Sequence, residues 1–400
     1  MDQKILFQPL ELPCGVVLKN RIVKSAMSDS LGDGCGNPTV DQIRLYQRWA
    51  EGGVSAMIIG EVQGTPHFAE KPGNLVLHAS SNEKLFKELA RMGASDNSHL
   101  WLQLGHAGAM AHPPISNPKG PSIINLPGLS CEALTLQEIK RLPAEFAETA
   151  QRAQHLGFGG VQIHAAHGFL LSQFLSPLFN KREDEYGGTI EARMRLLIEV
   201  VYAVRNAVDR EFVVAIKLNA TDQLDGGLEA QDALAVVAAL DKTGTDLIDI
   251  SGGTYFPGAK SASDAVASGP YFLDFANKAR QRTTKPLMVT GGFKTRDQAA
   301  HAISSGDTDA IGLARALVLQ PDLPTRWQHN PADNPEFPKF TAPPEGAITA
   351  WYTMKLTQLG QDRETEALPD LDTTTRIYLQ RDKEREMLWK EHFLTKAPLE

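Results

Sequence analysis

Short apolar runs recur along the chain, and amphipathic or alanine-rich stretches separate most of them. Runs of this length are typical of buried strands, and the stretches between them have helical periodicity. The predicted strands are residues 22–27, 56–62, 99–105, 160–166, 212–220, 247–251, 286–291 and 310–313. The clearest helical stretches are residues 41–51, 143–156, 191–208 and 230–242. Strands that alternate with helices indicate a parallel sheet of the α/β class, and eight strands are the number that closes a (β/α)8 TIM barrel.

The two ends of the chain depart from this alternation. Residues 10–19, with Pro13-Cys14-Gly15 at their centre, predict an N-terminal β-hairpin that could plug the floor of the barrel. After about residue 320 the pattern changes to a proline-rich loop and then to a charged helix at residues 374–392. We therefore expect one barrel domain at residues 1–325. Residues 326–400 are expected to form a C-terminal loop and helical extension, not an independent domain.

The composition is that of an ordinary globular protein. The net charge of −8 provides no basic face for nucleic acid or for an anionic membrane. Cys14, Cys35 and Cys131 lie far apart, which favours a reducing compartment over a disulfide framework or a zinc or iron–sulfur site. The N-terminus lacks the apolar core of a signal peptide, and no apolar run approaches the length of a membrane span. We expect a cytoplasmic protein that acts on a small molecule and binds neither nucleic acid nor membrane, while a homo-oligomeric state stays open.

Alternation within the third, fourth and fifth predicted strands separates aliphatic from polar side chains. The aliphatic positions are 100, 102 and 104, then 161, 163 and 165, then 214, 216 and 218. Because successive side chains of a strand point to opposite faces, the other face brings Gln103, His164 and Lys217 to the barrel axis. Barrel interiors are normally filled by branched apolar side chains. Three polar residues from neighbouring strands therefore predict a bound polar ligand.

Two histidines, His164 and His167, lie at the end of the fourth strand and follow the apolar run at residues 160–163. Two imidazoles at the mouth of a buried strand can donate two hydrogen bonds to one oxygen, which polarises a carbonyl or nitro group. An isolated pair is as often structural, since neutral histidine is stable in a polar core. The polar residues of the neighbouring strands favour the catalytic role.

Glycines and an arginine follow the last two predicted strands. The seventh strand ends at Gly291-Gly292-Phe293, and the eighth is followed by Ala314-Arg315. Barrels often bind phosphate between the loops after strands seven and eight, through backbone N–H groups and a helix N-terminus. Glycine allows close approach of the backbone, and arginine offers a charge-assisted fork. Together these elements predict a phosphate site.

Four elements of the chain form a recognisable set: residues 18–27, residues 103–108, residues 164–188, and the Gly291-Gly292 pair with Arg315. In these elements the chain resembles the old yellow enzyme family, the NADH:flavin oxidoreductases and FMN-dependent ene-reductases, over roughly residues 5–325. The resemblance implies an FMN at the top of the barrel that is reduced by NADH or NADPH. It also implies reoxidation by an activated alkene, such as an α,β-unsaturated carbonyl, a quinone, a maleimide or a nitro compound. A single phosphate site without a dinucleotide fingerprint favours FMN over FAD.

The resemblance also implies roles for individual residues. Lys217 would neutralise the negative charge of reduced flavin, and Gln103 would pair with its pyrimidine edge. His164 and His167 are the predicted catalytic residues, because they would hold the substrate's oxygen above the flavin. The predicted substrate pocket consists of Phe169, Ser28 and Tyr255, and no metal site is expected. The predicted cofactor contacts are Ser25, Ala26, Met27, Ser28, Val62, Gln103, His164, Lys217, Gly253, Gly291, Gly292, Phe293, Ala314 and Arg315.

Phe169 departs from the pattern of the family. Many members carry a tyrosine two residues after the second histidine, and its hydroxyl gives a proton to the substrate's α-carbon. Phenylalanine has no such donor, so the proton must come from water, from another side chain, or from no protein acid at all. Tyr255, on the loop after the sixth strand, is one candidate for a substitute.

Other functions compete with this hypothesis. A metal-dependent barrel lyase or hydrolase could use His164 and His167 as ligands, but the chain lacks a further set of Asp, Glu or Cys at strand ends. Among flavin barrels, a dihydroorotate-dehydrogenase-like enzyme is the nearest alternative, and the histidine pair argues against it because that chemistry needs a Cys or Ser base. A barrel that only binds or acts as a scaffold would not need the polar axis residues. The sequence leaves the physiological substrate and the choice between NADH and NADPH open.

Overall fold

The structure of the protein is a computed structural model that describes residues 3–256 and 269–395, and it contains fourteen strands in those ranges. In chain order they are β1 (Leu10–Glu11), β2 (Val17–Leu18), β3 (Ile22–Lys24), β4 (Ala56–Gln63), β5 (Leu75–Val76), β6 (His99–Gly105), β7 (Lys119–Gly120), β8 (Ile124–Leu126), β9 (Leu129–Ala133), β10 (Gly160–Ala165), β11 (Val213–Asn219), β12 (Leu247–Ser251), β13 (Leu287–Thr290) and β14 (Ala310–Leu313). The first two pair antiparallel as the predicted hairpin.

The helices alternate with the strands up to about residue 330 and then continue alone. Several begin at a threonine whose hydroxyl accepts a hydrogen bond from the first turn, as at Thr39, Thr135 and Thr295. In chain order they are α1 (Val40–Glu51), α2 (Glu83–Gly93), α3 (Leu136–His155), α4 (Leu170–Leu175), α5 (Ile190–Arg193), α6 (Arg195–Ala207), α7 (Ala230–Leu240), α8 (Leu273–Arg280), α9 (Arg296–Ser304), α10 (Arg315–Leu319), α11 (Leu323–His329), α12 (Ala347–Gly360) and α13 (Leu371–Trp389).

Eight parallel strands close into a barrel. Their order is β3, β4, β6, β10, β11, β12, β13 and β14, and β3 pairs with both β14 and β4. Each lies where the sequence predicts a strand, and the largest difference is at β3, which ends at Lys24 rather than Met27. The prediction of a (β/α)8 TIM barrel is therefore confirmed.

The lower half of the barrel is apolar. Leu100, Leu102 and Leu104 point outward into the layer between strands and helices, as the alternation predicts. The hairpin contributes to the inner cluster, so it closes the floor of the barrel as expected. That inner cluster contains Leu10, Leu12, Cys14, Leu18, Val23, Ala56, Ile58, Trp101, Val213, Ala215, Leu247, Met288 and Ala310.

Two helix boundaries differ from the prediction. Helix α3 begins at Leu136 rather than Pro143, because Thr135 and Glu138 form a capping box in which each side chain bonds the other's backbone N–H. The stretch predicted as one helix at residues 191–208 is two helices, α5 and α6, which meet at Met194. The small sheet of β7, β8 and β9, which precedes α3, was not predicted.

Helix α12 was also missed. It is buried on more than one side, against α1, α10 and α13, so its apolar residues do not form the single stripe that identifies an amphipathic helix. Gly360 allows close approach to α1, since a Cβ at this position would lie 2.3 Å from the carbonyl oxygen of Asp41.

Helix α13 packs near the loops that follow β3, β4 and β6. The guanidinium of Arg385 donates to the carbonyl of Ser30. Trp389 is fully buried in a small cluster with Ala69, Val76 and Ile115. The C-terminal segment therefore lies at the end of the barrel where the carboxyl ends of the strands meet.

Candidate active site

A buried ion pair lies above the apolar floor of the barrel. Lys217 on β11 and Asp249 on β12 are neighbours in the sheet, and Lys217 Nζ lies 2.5 Å from Asp249 Oδ2. Both residues are almost fully buried. Burying either charge alone would cost several kcal/mol in this environment, and the ion pair offsets part of that cost. Lys217 lies on the inner face, as predicted.

Hydrogen bonds extend this ion pair to the predicted Gln103. Asp249 accepts a hydrogen bond from Gln162 Nε2 at 3.0 Å, and Gln162 Oε1 accepts from Gln103 Nε2 at 2.7 Å. Sequence reasoning did not use Gln162 or Asp249, although the inward position of each follows from the alternation of its strand. The side-chain carbonyl oxygen of Gln103 takes no part in these hydrogen bonds.

The same aspartate also connects to β3. Thr290 donates to Asp249 Oδ1 at 2.7 Å, so the 2.7 Å bond between the hydroxyls of Thr290 and Ser25 must have Ser25 as its donor. Gly312 makes this contact possible, because a Cβ there would lie 2.1 Å from the Thr290 hydroxyl. The network crosses the barrel from β6 to β3 and fixes the predicted residue Ser25.

His164 and His167 lie together beside the ion pair. Their ring centroids are 5.3 Å apart, and the rings are close to perpendicular. His167 has a φ of +59°, an uncommon conformation for a residue with a side chain. It is held there by two contacts: its backbone N–H donates to Asn219, and its Nε2 lies 2.9 Å from the Ser251 hydroxyl.

Both imidazoles are neutral in the folded protein. Burial lowers the pKa of His167 to about 3, and the positive charge of Lys217 contributes. Burial also lowers the pKa of His164 well below its ordinary value, and His167 and Lys217 add to the effect. Each ring therefore carries one N–H donor and one acceptor near neutral pH.

Two aromatic rings flank the histidine pair. Phe169 is buried, with its ring 4.8 Å from that of His164. Tyr255 is exposed, and its ring lies 5.5 Å from His167 and 6.2 Å from Phe169. The backbone N–H of Tyr255 donates to the carbonyl of His167, which fixes the two loops against each other. The three predicted pocket positions are completed by Ser28, on the segment after β3.

The segment after β3 is half-buried at Ala26, Met27 and Ser28, whereas the residues on both sides of it are buried. It runs close to β4 because Gly60 has no side chain; a Cβ there would lie 2.3 Å from the carbonyl oxygen of Met27. The hydroxyl of Ser28 accepts a hydrogen bond from Asn74 at 3.4 Å. The backbone of this segment is therefore available at the upper end of the barrel.

Glu61, on β4, reaches His164 and was not predicted. Its Oε1 lies 3.3 Å from His164 Nε2. Burial and the nearby carboxylate of Glu70 raise the pKa of Glu61 well above its ordinary value. A charged residue inside the apolar run at residues 56–62 was the only signal, and the irregular pairing between Ile59 and Val62 obscures which way it points.

The two glycines after β13 adopt positive φ values, a backbone conformation that glycine allows. Gly291 and Gly292 have φ values of +116° and +85°, and a Cβ at Gly292 would lie 2.2 Å from the carbonyl oxygen of Gly269. The guanidinium of Arg315 lies 5.5 Å from the ring centroid of Tyr352, on α12. Both Arg315 and Ala314 are half-buried beside this loop.

Three of the predicted cofactor contacts, Val62, Phe293 and Gly253, place no side chain towards the barrel axis. Val62 and Phe293 pack in the outer apolar layer. Gly253 donates its backbone N–H to Thr221 and accepts from Asn219 through its carbonyl. Any cofactor contact at Val62 or Phe293 therefore has to come from the backbone.

The donor set at this end of the barrel fits a polar, planar ligand. Leaving a buried polar atom unpaired costs about 1–3 kcal/mol, so such atoms indicate a missing partner. In the described ranges, the buried atoms here without a hydrogen-bond partner include Glu61 Oε2, Gln63 Nε2, His106 Nε2 and His164 Nδ1. Together with the cationic Lys217 they can meet both donors and acceptors of a flavin and its substrate.

Across residues 3–256 and 269–395, no three His, Cys, Asp or Glu side chains are grouped so that they could hold a metal ion. Of the helices found in those ranges, none has the length and apolarity needed to cross a membrane.

A closed parallel barrel with a polar upper layer and a neutral histidine pair defines a cofactor-dependent barrel enzyme. The sequence model of the NADH:flavin oxidoreductase / NADH oxidase family matches residues 5–334. This chain belongs to that family. Membership confirms the resemblance inferred from the sequence, the oxidoreductase class, and the flavin and nicotinamide cofactors.

Relatives with known names support the assignment. The chain is 31% identical over 355 residues to the NADH-dependent flavin oxidoreductase iliE of Hypocrea jecorina, covering 80% of this chain and 88% of that protein. It is 32% identical over 329 residues to the NADPH dehydrogenase of Bacillus licheniformis, covering 81% of this chain and 94% of that protein. A Neonectria protein, also named iliE, is 35% identical over 354 residues, covering 79% of this chain, and the chain spans only 46% of its length.

Solved structures agree on the fold. Morphinone reductase in complex with tetrahydroNAD superimposes with a TM-score of 0.70 at 25% identity, covering 83% of this chain and 93% of that one. The old yellow enzyme homologue from Zymomonas mobilis superimposes with a TM-score of 0.72 at 24% identity, covering 82% and 94%. The barrel predicted from the sequence is therefore the barrel of these proteins.

Proposed function

We propose that this chain binds FMN at the upper end of the barrel and reduces activated alkenes with electrons from NADH or NADPH. When bound, FMN accepts hydride from the nicotinamide and passes it to the alkene. The observation that carries the proposal is the neutral histidine pair beside the buried Lys217. Two neutral donors suit an oxygen that gains negative charge, and a buried cation suits a cofactor that becomes anionic.

The ring of the cofactor would lie over the network of Lys217 and Gln103. Asp249 supports this role because it pairs with Lys217, and it orients Gln103 through Gln162. The free carbonyl of Gln103 and the cationic Nζ of Lys217 would bind the polar edge of the ring. Ser25 would contribute through its place in the same network.

The backbone would supply most of the remaining contacts. Ala26, Met27 and Ser28 are accessible beside β4, and the Ser28 hydroxyl would bond the ring near its reactive edge. The backbone at Val62, near the end of β4, and the loop at Gly253 would close the sides of the site. Glycine at residues 291 and 292, with the N–H of Phe293, would form the phosphate site together with Ala314 and Arg315.

The substrate would lie between the ring and the two imidazoles. His164 and His167 would donate to the oxygen of its carbonyl or nitro group, which polarises the double bond and stabilises the charge that builds up on that oxygen. Phe169, Tyr255 and Ser28 would line the pocket. Phe169 and Tyr255 place aromatic surface next to the histidines, which suits flat, conjugated substrates.

The cofactor and the reaction can be tested with one preparation. Flavin released by denaturation should be FMN on chromatography, and anaerobic holoenzyme should lose its flavin absorbance with NADH or NADPH. The absorbance should return on mixing with N-methylmaleimide or a quinone. Recovery of FAD, or of no flavin after reconstitution, would contradict the cofactor, and reduced enzyme that no activated alkene reoxidises would contradict the substrate class.

The role of the histidine pair can be tested by comparing His164→Ala with a control variant at an exposed histidine. His164→Ala should retain FMN but lose phenol binding, seen as the long-wavelength band with p-hydroxybenzaldehyde, and reoxidation by maleimide should slow on the order of a hundredfold. The exposed His155→Ala on α3 should change neither. A His164→Ala enzyme that bound phenols and turned over normally would show that the pair is structural.

A further inference from the structure

Glu61 is a buried carboxyl that the proposed reaction does not yet use. It is 3% exposed, and its φ of +60° is a left-handed conformation that costs a non-glycine residue roughly 1–2 kcal/mol. Such strain persists only where the surrounding structure holds it, and it is concentrated at functional sites. The conformation brings Oε1 to 3.3 Å from His164 Nε2.

The surroundings of Glu61 hold the carboxyl close to this histidine. Gly105 leaves room for it, because a Cβ at that position would lie 2.4 Å from Glu61 Oε2. The side chain of Gln63 lies next to it, since Gln63 Nε2 would be 3.5 Å from the same Cβ at position 105. Burial and then the carboxyl of Glu70 raise the pKa of Glu61. Both effects favour the protonated form of Glu61.

The proton on Glu61 determines the tautomer of His164. A protonated carboxyl donates to Nε2, and a neutral imidazole that accepts at Nε2 carries its own hydrogen on Nδ1. Within the part of the chain that the structure describes, Nδ1 is buried and has no hydrogen-bond partner. The hydrogen that His164 would offer to a substrate is therefore the one on Nδ1.

We propose that Glu61 and His164 form a proton relay that protonates the substrate's oxygen, in place of the phenol that is missing at Phe169. The relay rests on the proposed alkene reduction. Glu61 acts through His164 and is a positioning and proton-supplying residue, whereas His164 contacts the substrate. The inference stands on the 3.3 Å Glu61–His164 contact, the unpartnered Nδ1 and the absence of a hydroxyl at Phe169.

The relay balances in protons and electrons. Hydride, with two electrons from the nicotinamide, adds to the β-carbon, and the electron pair of the double bond moves to the oxygen. The Nδ1–H bond breaks as the O–H bond forms, and the Glu61 O–H bond breaks as an Nε2–H bond forms. The product is an enol, which tautomerises to the saturated carbonyl compound in water. After it leaves, a proton from water adds to His164 Nδ1 as the hydrogen on Nε2 returns to Glu61, which restores the starting tautomer.

Two substitutions separate the tautomer from the proton supply. In Glu61→Gln the amide can still donate to Nε2 and keep the hydrogen on Nδ1, but it has no proton to transfer. We expect p-hydroxybenzaldehyde binding within about threefold of the wild type, whereas reoxidation by cyclohexenone slows on the order of a hundredfold. Glu61→Leu removes the donor as well, so it should lose both. FMN content confirms folding, and the exposed Glu145→Gln on α3 is the control.

The route of the proton gives a second, independent test. Reduction of 2-methylcyclohexenone through a released enol should give nearly racemic product at the α-carbon, because water protonates the enol on both faces. Enantiopure product incubated with enzyme controls for later epimerisation. A single α-enantiomer, equal cyclohexenone rates in wild type and Glu61→Gln, or equal phenol binding in Glu61→Gln and Glu61→Leu would each overturn the relay. The phenol titration needs no turnover, so it tests the relay even where the proposed alkene reduction fails.

Discussion

At the scale of single residues, one missing hydroxyl is the largest chemical question of the site. The ring of Phe169 packs against His164 at 4.8 Å, at the position where the family resemblance implies a proton-donating tyrosine. Hydride transfer does not need that proton at once, so strongly activated substrates such as quinones and maleimides depend on it least. Simple enones depend on it most.

Restoring the hydroxyl should therefore act selectively. We expect Phe169→Tyr to reduce cyclohexenone roughly ten- to a hundredfold faster than the wild type and a quinone at an unchanged rate, because a placed general acid contributes on the order of a hundredfold or more. Single-turnover reoxidation of reduced enzyme measures both. Equal rates in the two proteins would show that this position does not control protonation. Tyr255→Phe in the same assay tests whether the exposed phenol near His167 serves as a substitute acid.

At the scale of elements, helix α13 joins the C-terminal segment to the barrel. Its Trp389 is fully buried against the loops after β4 and β6, and its Arg385 holds the loop after β3. These are loops that surround the candidate site. We propose on this basis that residues 326–400 are an extension of the barrel at residues 1–325, and not an independent domain.

A docked helix and an independent domain unfold differently. Trp389→Ala should cost about 3–5 kcal/mol through the cavity it leaves. If α13 is part of the barrel, the whole holoenzyme should show one thermal transition, lowered by roughly 4–6 °C. Met387→Ala, exposed on the same helix, should change stability by less than about 0.5 kcal/mol. Two separate transitions, of which only one responds to Trp389→Ala, would contradict the proposal.

At the scale of the whole molecule, the barrel keeps three neutral histidines in its upper half. Burial lowers the pKa of His106 to about 3, as it does for His167, and it also lowers the pKa of His164 well below its ordinary value. A histidine with a lowered folded pKa stabilises the protein above its unfolded pKa of about 6.5. This stability is lost as the pH falls towards the folded pKa, because the unfolded chain binds more protons in that window.

His106 allows one such contribution to be isolated. His106→Asn can keep the acceptor for the N–H of Gly108, which the Nδ1 of His106 now provides. Between pH 6 and pH 4 its unfolding free energy should fall less steeply than that of the wild type, by up to about 1.4 kcal/mol per pH unit. Urea titrations at several pH values measure the slopes, and the exposed His155→Asn should keep the wild-type slope. Identical slopes in His106→Asn and wild type would contradict the buried neutral state.

Much of the fold followed from local patterns. Each barrel strand shows itself as a short apolar run, and alternation with period two assigns Gln103, His164 and Lys217 to the inner face without knowledge of the neighbours. Helix α12 could not be found in this way, because its burial on several sides depends on α1 and α13 being present. Helix α3 could have been placed correctly from the Thr135–Glu138 spacing.

The sequence by itself determined the barrel, its apolar floor, the histidine pair and the family, because these depend on periodicity and on motifs contained in single segments. Only the tertiary structure decided which polar residues meet. Asp249 reaches Lys217 across two strands, and Glu61 reaches His164 from a different part of the barrel. Register and a local irregularity in β4 set these contacts. The register and the irregularity cannot be predicted from the sequence of one strand, because each depends on how two strands pair.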